Sequence, residues 1–184
     1  KALQNPNKTI TGNRFKRSEG IIFRVLYEVH KVITLVFTGR LIKFGNFTCL
    51  PKNHINQLIH KPFLWNSYSS SVIRTIKDRE SIPSTRGLRY VLPSKMNFTA
   101  LIFHSLAIIS VFRSTVIARS IIFLSIYLFL ILNNISLFSL IPTFILALFV
   151  FIILKISKRS NLEELNNSLN NIGSIDILRG SNSR

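Results

Sequence analysis

The longest feature of the hydrophobic pattern is a stretch from Ile121 to Leu154, IIFLSIYLFLILNNISLFSLIPTFILALFVFIIL, which contains no charged residue. It is too long for one membrane span of ~20 residues and suits two helices packed as a hairpin. Asn133, Asn134 and Ser136 mark the break, because polar side chains prefer the lipid–water boundary. The pattern predicts one transmembrane helix over 116–132 and a second over 136–156. Pro142 falls in the first turns of the second, where it is tolerated.

Upstream the periodicity changes. Ile22, Val25, Leu26, Val29, Ile33 and Val36 recur at three-and-four spacing, while Arg17, Arg24 and Lys31 recur every seventh residue on another face. This predicts one amphipathic helix over 14–37, with Glu28 placed to pair with Arg24 or Lys31. Such a helix can lie in the headgroup layer, or belong to a domain with a solvated charged face. Thr38-Gly39 ends it. A short strand is expected over 41–44, with Gly45-Asn46 as a turn or a point of close approach. Helices follow over 52–59 (after Pro51) and 63–76, with Trp65 and Tyr68 as packing or interface aromatics. Residues 79–90 read as extended and basic. Residues 96–112 read as an apolar interfacial helix, with Asn97 and His104 on a narrow polar stripe, leading into the hairpin. In the tail, 161–171 suggests a short helix and the last residues disorder.

Charge sharpens this picture. The 184 residues carry a net charge of +17 and yet have positive mean hydropathy, which requires apolar and charged residues to be segregated along the chain. Arg113 and Arg119 precede or open the first predicted span, and Lys155, Lys158 and Arg159 close the second. The connecting loop is uncharged, so the positive-inside rule places both ends in the cytoplasm. The single cysteine, Cys49, excludes an internal disulfide and fits a reducing compartment. Lys1 opens the chain with no signal-peptide pattern near it, and a fragment of a longer protein is the expectation.

Candidate chemistry is sparse. Asp78 and Asp176 are the only aspartates, there is no Asp-x-Asp pair, and no glycine-rich phosphate loop or nucleophile elbow stands out. No zinc constellation can be drawn from one cysteine and four histidines. What remains is cationic: Arg14, Lys16 and Arg17, then Arg86, Arg89 and Lys95. Guanidinium groups suit phosphate and pyrophosphate through bidentate contacts, though a plain basic belt beneath a membrane explains the same pattern. Few aromatics interleave the cluster, which argues against nucleic acid as the partner.

Several segments taken in order carry a resemblance: RFKRSE, FR-x2-Y-x3-K, TGRLIKFGNFTCLP, LWNSYSSSVIR, RGLRYVLPSKMNF, then FHSLAIISVF and Arg119. Together, over about 12–119, they resemble bacterial membrane-anchored family 2 glycosyltransferases, relatives of dolichyl-phosphate mannose synthase and polyprenyl-phosphate sugar synthases. The resemblance implies an α-rich membrane protein: the remnant of a GT-A type α/β domain with amphipathic interfacial helices, followed by a two-helix transmembrane hairpin. It implies that the donor-binding half, with its Asp-x-Asp and its divalent cation (Mg or Mn), precedes this segment, and that this chain alone binds no metal and is inactive.

Residue by residue, it implies that Arg14, Lys16 and Arg17 match a basic motif near the diphosphate and the acceptor phosphate. Gly45, Asn46 and Phe47 match a Gly-Asp-Phe segment at the reaction centre, with Asn in place of Asp. Arg89, Ser94 and Lys95 match an Arg-x-x-Gly-x-Ser-Lys phosphate motif, with Leu92 where the family has Gly, and His104 matches a histidine of similar enzymes. Asn46 and Arg17 are then the catalytic candidates. Arg14, Lys16, Gly45, Phe47, Arg86, Arg89, Ser94 and Lys95 are the substrate-binding ones.

The expected organisation is a catalytic remnant over 1–95, an interfacial helix over 96–113, the hairpin over 114–156 and a cytoplasmic tail over 157–184. The expected partners are membrane lipid, a nucleotide-sugar donor, a polyprenyl-phosphate acceptor and further copies of the chain, with no nucleic acid. The expected location is the bacterial inner membrane. The rival expectation is a non-enzymatic anchor or assembly subunit of a larger membrane complex.

Overall fold

A computed structural model describes residues 2–16, 21–85 and 98–167; for 14–16, 21–24, 162, 165 and 166 it describes the backbone alone. The described residues are mostly helical, with a small three-stranded sheet. Strand β1 (Thr9–Lys16) is central, antiparallel to β2 (Phe44–Cys49) on one side and parallel to β3 (Arg79–Thr85) on the other.

The central position of β1 corrects the expected helix over 14–37. Arg14, Phe15 and Lys16 are strand, and helix α1 runs Ile21–Thr38. Both edges of β1 find ladder partners, and this non-local pairing overrides the local helical pattern. Strand β2 is likewise displaced from the expected 41–44, and Gly45-Asn46 lies inside it rather than forming a turn.

Helix α2 occupies Lys52–Ile59 as expected, opening just after Pro51. The expected helix over 63–76 is broken into a 3₁₀ turn, Pro62–Trp65, and helix α3, Tyr68–Thr75. The break falls at Ser67, whose extended backbone and side-chain oxygen, accepting from the Ser70 N–H, make it the N-cap of α3. Buried serines then fasten α3: Ser70 Oγ donates to the Ile108 carbonyl at 3.0 Å and Ser71 Oγ to the Ser67 carbonyl at 2.7 Å.

Helix α4 spans Phe98–Ser110, α5 Arg113–Ile131, α6 Ile141–Ser157 and α7 Leu162–Asn167. Helix α5 and the segment Phe138–Ser157 are long and apolar enough to cross a membrane, and only 11% of each lies buried inside the protein. At ~1.5 Å per residue, their 19 and 20 residues give about 28–30 Å, close to the ~30 Å hydrocarbon thickness. Phe129, Leu130, Phe144, Ile145 and Phe151 project outward, which sets these helices apart from the core of a soluble fold. At the turn, Tyr127 Oη donates to the Ser139 carbonyl at 2.7 Å, and Ser136 and Ser139 accept each other's backbone N–H groups. The feet of the hairpin meet, with Arg113 Nη1 3.4 Å from Ser157 Oγ, so its two ends emerge on the same side.

Two apolar clusters join sheet to hairpin. One gathers Ile42, Phe44, Leu58, Val72, Ile73 and Ile76 with Ile108, Val111 and Phe112 of the α4–α5 turn. The other places Ile109, Val116 and Ile153 beneath Phe37, Leu106 and Phe149. Phe37, near the end of α1, stacks edge-on to Phe123 of α5 and lies 4.6 Å, centroid to centroid, from Phe149 of α6. Most of α1's remaining apolar side chains, Val25, Val29, Val32 and Val36 among them, are exposed. Glu28 pairs with Lys31, one of its two expected partners, at 2.7 Å.

Candidate functional site

One end of the sheet collects the segments singled out by sequence. On β1 a single residue, Gly12, separates the paired Thr11 and Asn13. On β2 their partners Thr48 and Phe44 are separated by three residues: Gly45, Asn46 and Phe47. These three therefore form a bulge facing one glycine. A bulge removes residues from the ladder and re-aims their side chains, and bulges are common beside active sites. A Cβ on Gly12 would stand 2.6 Å from Phe47 Cδ1, so the bare glycine is what lets the Phe47 ring settle there. Phe47 is nevertheless 72% exposed, and Asn46 is exposed beside it.

The same end of the sheet carries Arg14 and Lys16. They pair through their backbones with Ser84 and Thr85, where β3 delivers the chain to residue 86. Arg17, Arg86, Arg89, Ser94 and Lys95 lie outside the described residues, as do Leu92 and Asn97. Topology thus brings Gly45, Asn46 and Phe47 to one end with the backbones of Arg14 and Lys16. His104 is exposed on α4.

The bulge is held from below. Thr48 Oγ1 and Tyr68 Oη share a hydrogen bond that ties β2 to α3. Buried Thr9 and His54 are joined through Oγ1 and Nδ1 at 2.7 Å, tying β1 to α2. Thr11 Oγ1 reaches Ser81 Oγ at 3.1 Å across to β3.

Arg119 plays a part the sequence did not suggest. It stands in the second turn of α5, where its Nη1 donates to the Val36 carbonyl at 2.7 Å and reaches the Leu35 carbonyl at 3.4 Å. It therefore caps the negative end of α1. Gly39, at φ +69°, closes that helix by donating to Leu35 O, and its missing side chain leaves the space that the guanidinium fills. An arginine inside an apolar helix was the available signal, since such a charge needs a partner.

Two other guanidiniums are perturbed. Burial lowers the Arg74 pKa, and the charge of Arg113 lowers it further; burial and then Arg40 do the same to Arg79. Both remain cations at neutral pH, because arginine starts so high.

Chemically, an amide at position 46 can accept and donate hydrogen bonds but cannot take up a proton near neutrality. Among the described residues no three His, Cys, Asp or Glu side chains come together. Fold and site together define an α-rich chain with a small mixed sheet and a membrane-compatible hairpin. No family model matches it, and neither does any curated protein or solved structure.

Proposed function

We propose that this chain is the membrane-anchored, acceptor-side part of a family 2 glycosyltransferase, a remnant of a GT-A domain followed by a two-helix transmembrane hairpin with both ends in the cytoplasm. The donor is a nucleotide sugar and the acceptor a lipid phosphate such as polyprenyl phosphate. The observation that carries the reading is the Gly45-Asn46-Phe47 bulge over Gly12, at the sheet end where β1 brings Arg14 and Lys16 and from which β3 leads into the Arg86–Lys95 stretch.

In this reading Asn46 orients the acceptor by hydrogen bonding. Arg14, Lys16, Arg17, Arg86, Arg89 and Lys95 neutralise the acceptor phosphate and the departing diphosphate, an electrostatic stabilisation of the transition state. Gly45 and Phe47 shape the floor, and Ser94 adds a hydroxyl donor to the phosphate. The hairpin confines the catalyst to the plane of its lipid acceptor, which raises the effective concentration of that acceptor. In this reading metal and donor binding belong to residues other than those described.

The test uses the full-length parent in bilayers with polyprenyl phosphate and a panel of labelled nucleotide sugars, comparing wild type with Arg89→Ala. Sugar transfer to lipid that collapses in the variant is the expected result. No transfer from any donor, with the protein folded and inserted, leaves the non-enzymatic anchor subunit as the better account.

A further inference from the structure

At the foot of the hairpin, cations from three segments converge. Arg74, on α3, donates to the Val111 carbonyl and sits over the Phe63 ring, its Cζ 4.3 Å from the ring centroid. Arg113, two residues after Val111, opens α5 and reaches Ser157 at the end of α6. Lys158 and Arg159 follow directly, and Ser160 accepts from Asn66 at 2.8 Å, which pins this stretch against the start of α3. The side chains of Arg74, Arg113, Lys158 and Arg159 are all exposed.

Arg113 stands close enough to Arg74 to lower its pKa, and neighbouring like charges of this kind favour an anion between them. Among the described residues, none of the four lies within ion-pair distance of a carboxylate; Glu163 and Glu164 on nearby α7 are exposed and unpaired with them. The α5 N-terminus adds its own partial positive charge, with no acidic residue in its first turn and no side-chain cap. Hydrophobic clusters fix all of this at the foot of two outward-facing apolar helices, which a bilayer spanned by those helices would set at the level of lipid phosphates.

We propose that Arg74, Arg113, Lys158 and Arg159 form a binding site for the phosphate of an anionic glycerophospholipid, separate from the sheet-end site. Arg74, held in place by Phe63 and the Val111 carbonyl, offers its remaining N–H groups as a preset fork. Arg113 supplies the second guanidinium, and Lys158 and Arg159 close the site from the α6 side. The inference rests on α5 and α6 lying in a bilayer.

The whole chain, reconstituted in nanodiscs of phosphatidylcholine with a minority of phosphatidylglycerol, tests it by native mass spectrometry of the lipids retained. Phosphatidylglycerol should be enriched over its bulk share, by about fivefold for each cation that reaches the phosphate. Arg113→Gln should remove about one such factor and Arg74→Gln/Arg113→Gln more, whereas Lys8→Gln and Lys52→Gln leave the enrichment intact. Arg113→Gln keeps the test sound if the double variant misfolds, because among the described residues its side chain bonds only Ser157, at a long 3.4 Å.

Equal enrichment in Arg113→Gln and the control variants overturns the site. Displacement of the lipid by millimolar inorganic phosphate overturns the lipid assignment in favour of a free-phosphate site. Extraction of the wild-type chain from membranes by alkaline carbonate overturns the bilayer reading, and with it the inference.

Discussion

Gly12 and Phe47 are locked together: the glycine's missing side chain is the space into which the phenylalanine ring settles, 2.6 Å from where a Cβ would be. Gly12→Ala should therefore push the exposed Phe47 ring off the bulge and cost about 1 kcal/mol, the low end of what overpacking costs in a closed core. Adding Phe47→Ala should recover much of the loss. Thermal unfolding of the two single variants and the double in detergent gives the coupling energy, and simple additivity would mean that the two residues do not depend on each other.

Gly39 faces two demands, a left-handed backbone and the Arg119 guanidinium. The guanidinium is the end of a flexible side chain and can move aside; the φ of +69° cannot be relaxed so cheaply. Gly39→Ala is expected to cost about 1–2 kcal/mol from backbone strain, and Arg119→Gln about 0.3–2 kcal/mol from loss of the helix cap. Hydrogen exchange of the last turn of α1 should accelerate in both variants while α2 stays unchanged.

The Thr9–His54 bond is buried, so breaking it leaves a ring nitrogen without a partner. Thr9→Val keeps the shape and removes the hydroxyl, with an expected loss of about 1–3 kcal/mol. A shift in unfolding temperature close to zero would show that the bond contributes little.

Cys49, the one cysteine, is exposed and makes a ready probe of sidedness. In sealed vesicles with the cytoplasmic face inside, an impermeant maleimide should leave Cys49 unmodified. Asn134→Cys in a Cys49→Ser background should be labelled from outside. The reverse pattern would invert the orientation drawn from Lys155, Lys158 and Arg159.

The hairpin and α2 were legible in the sequence because their signals are local: an uncharged run broken by Asn133 and Asn134, and a proline just ahead of Lys52. Strand β1 was not, because its identity depends on partners far along the chain; Thr11 meets Ser81 across 70 residues. Gly45-Asn46 carries a turn signature by composition, yet the pair lies in a strand because Gly12 faces it. Gly12 itself could have been found, since an isolated glycine in a run such as Thr9-Ile10-Thr11 marks a bulge or a close approach. The breaking of 63–76 was hidden because Ser67 reads like the helical serines 69–71 that follow it, where it instead caps their helix. Arg119 was read as a flanking charge and as part of the family resemblance, and only the packing of α1 on α5 discloses what its guanidinium holds.

The hydrogen bond from Asn66 to Ser160 joins residues 94 positions apart. During synthesis, Asn66 leaves the ribosome well before the hairpin, which in the proposed transmembrane arrangement enters the bilayer and returns. Until Ser160 follows, α3 lacks one of its fastenings and the cluster around Ile109 lacks Ile153. In that arrangement closure of the hairpin foot is timed by membrane insertion, and a chain that fails to insert keeps an unfinished fold open to quality-control proteases.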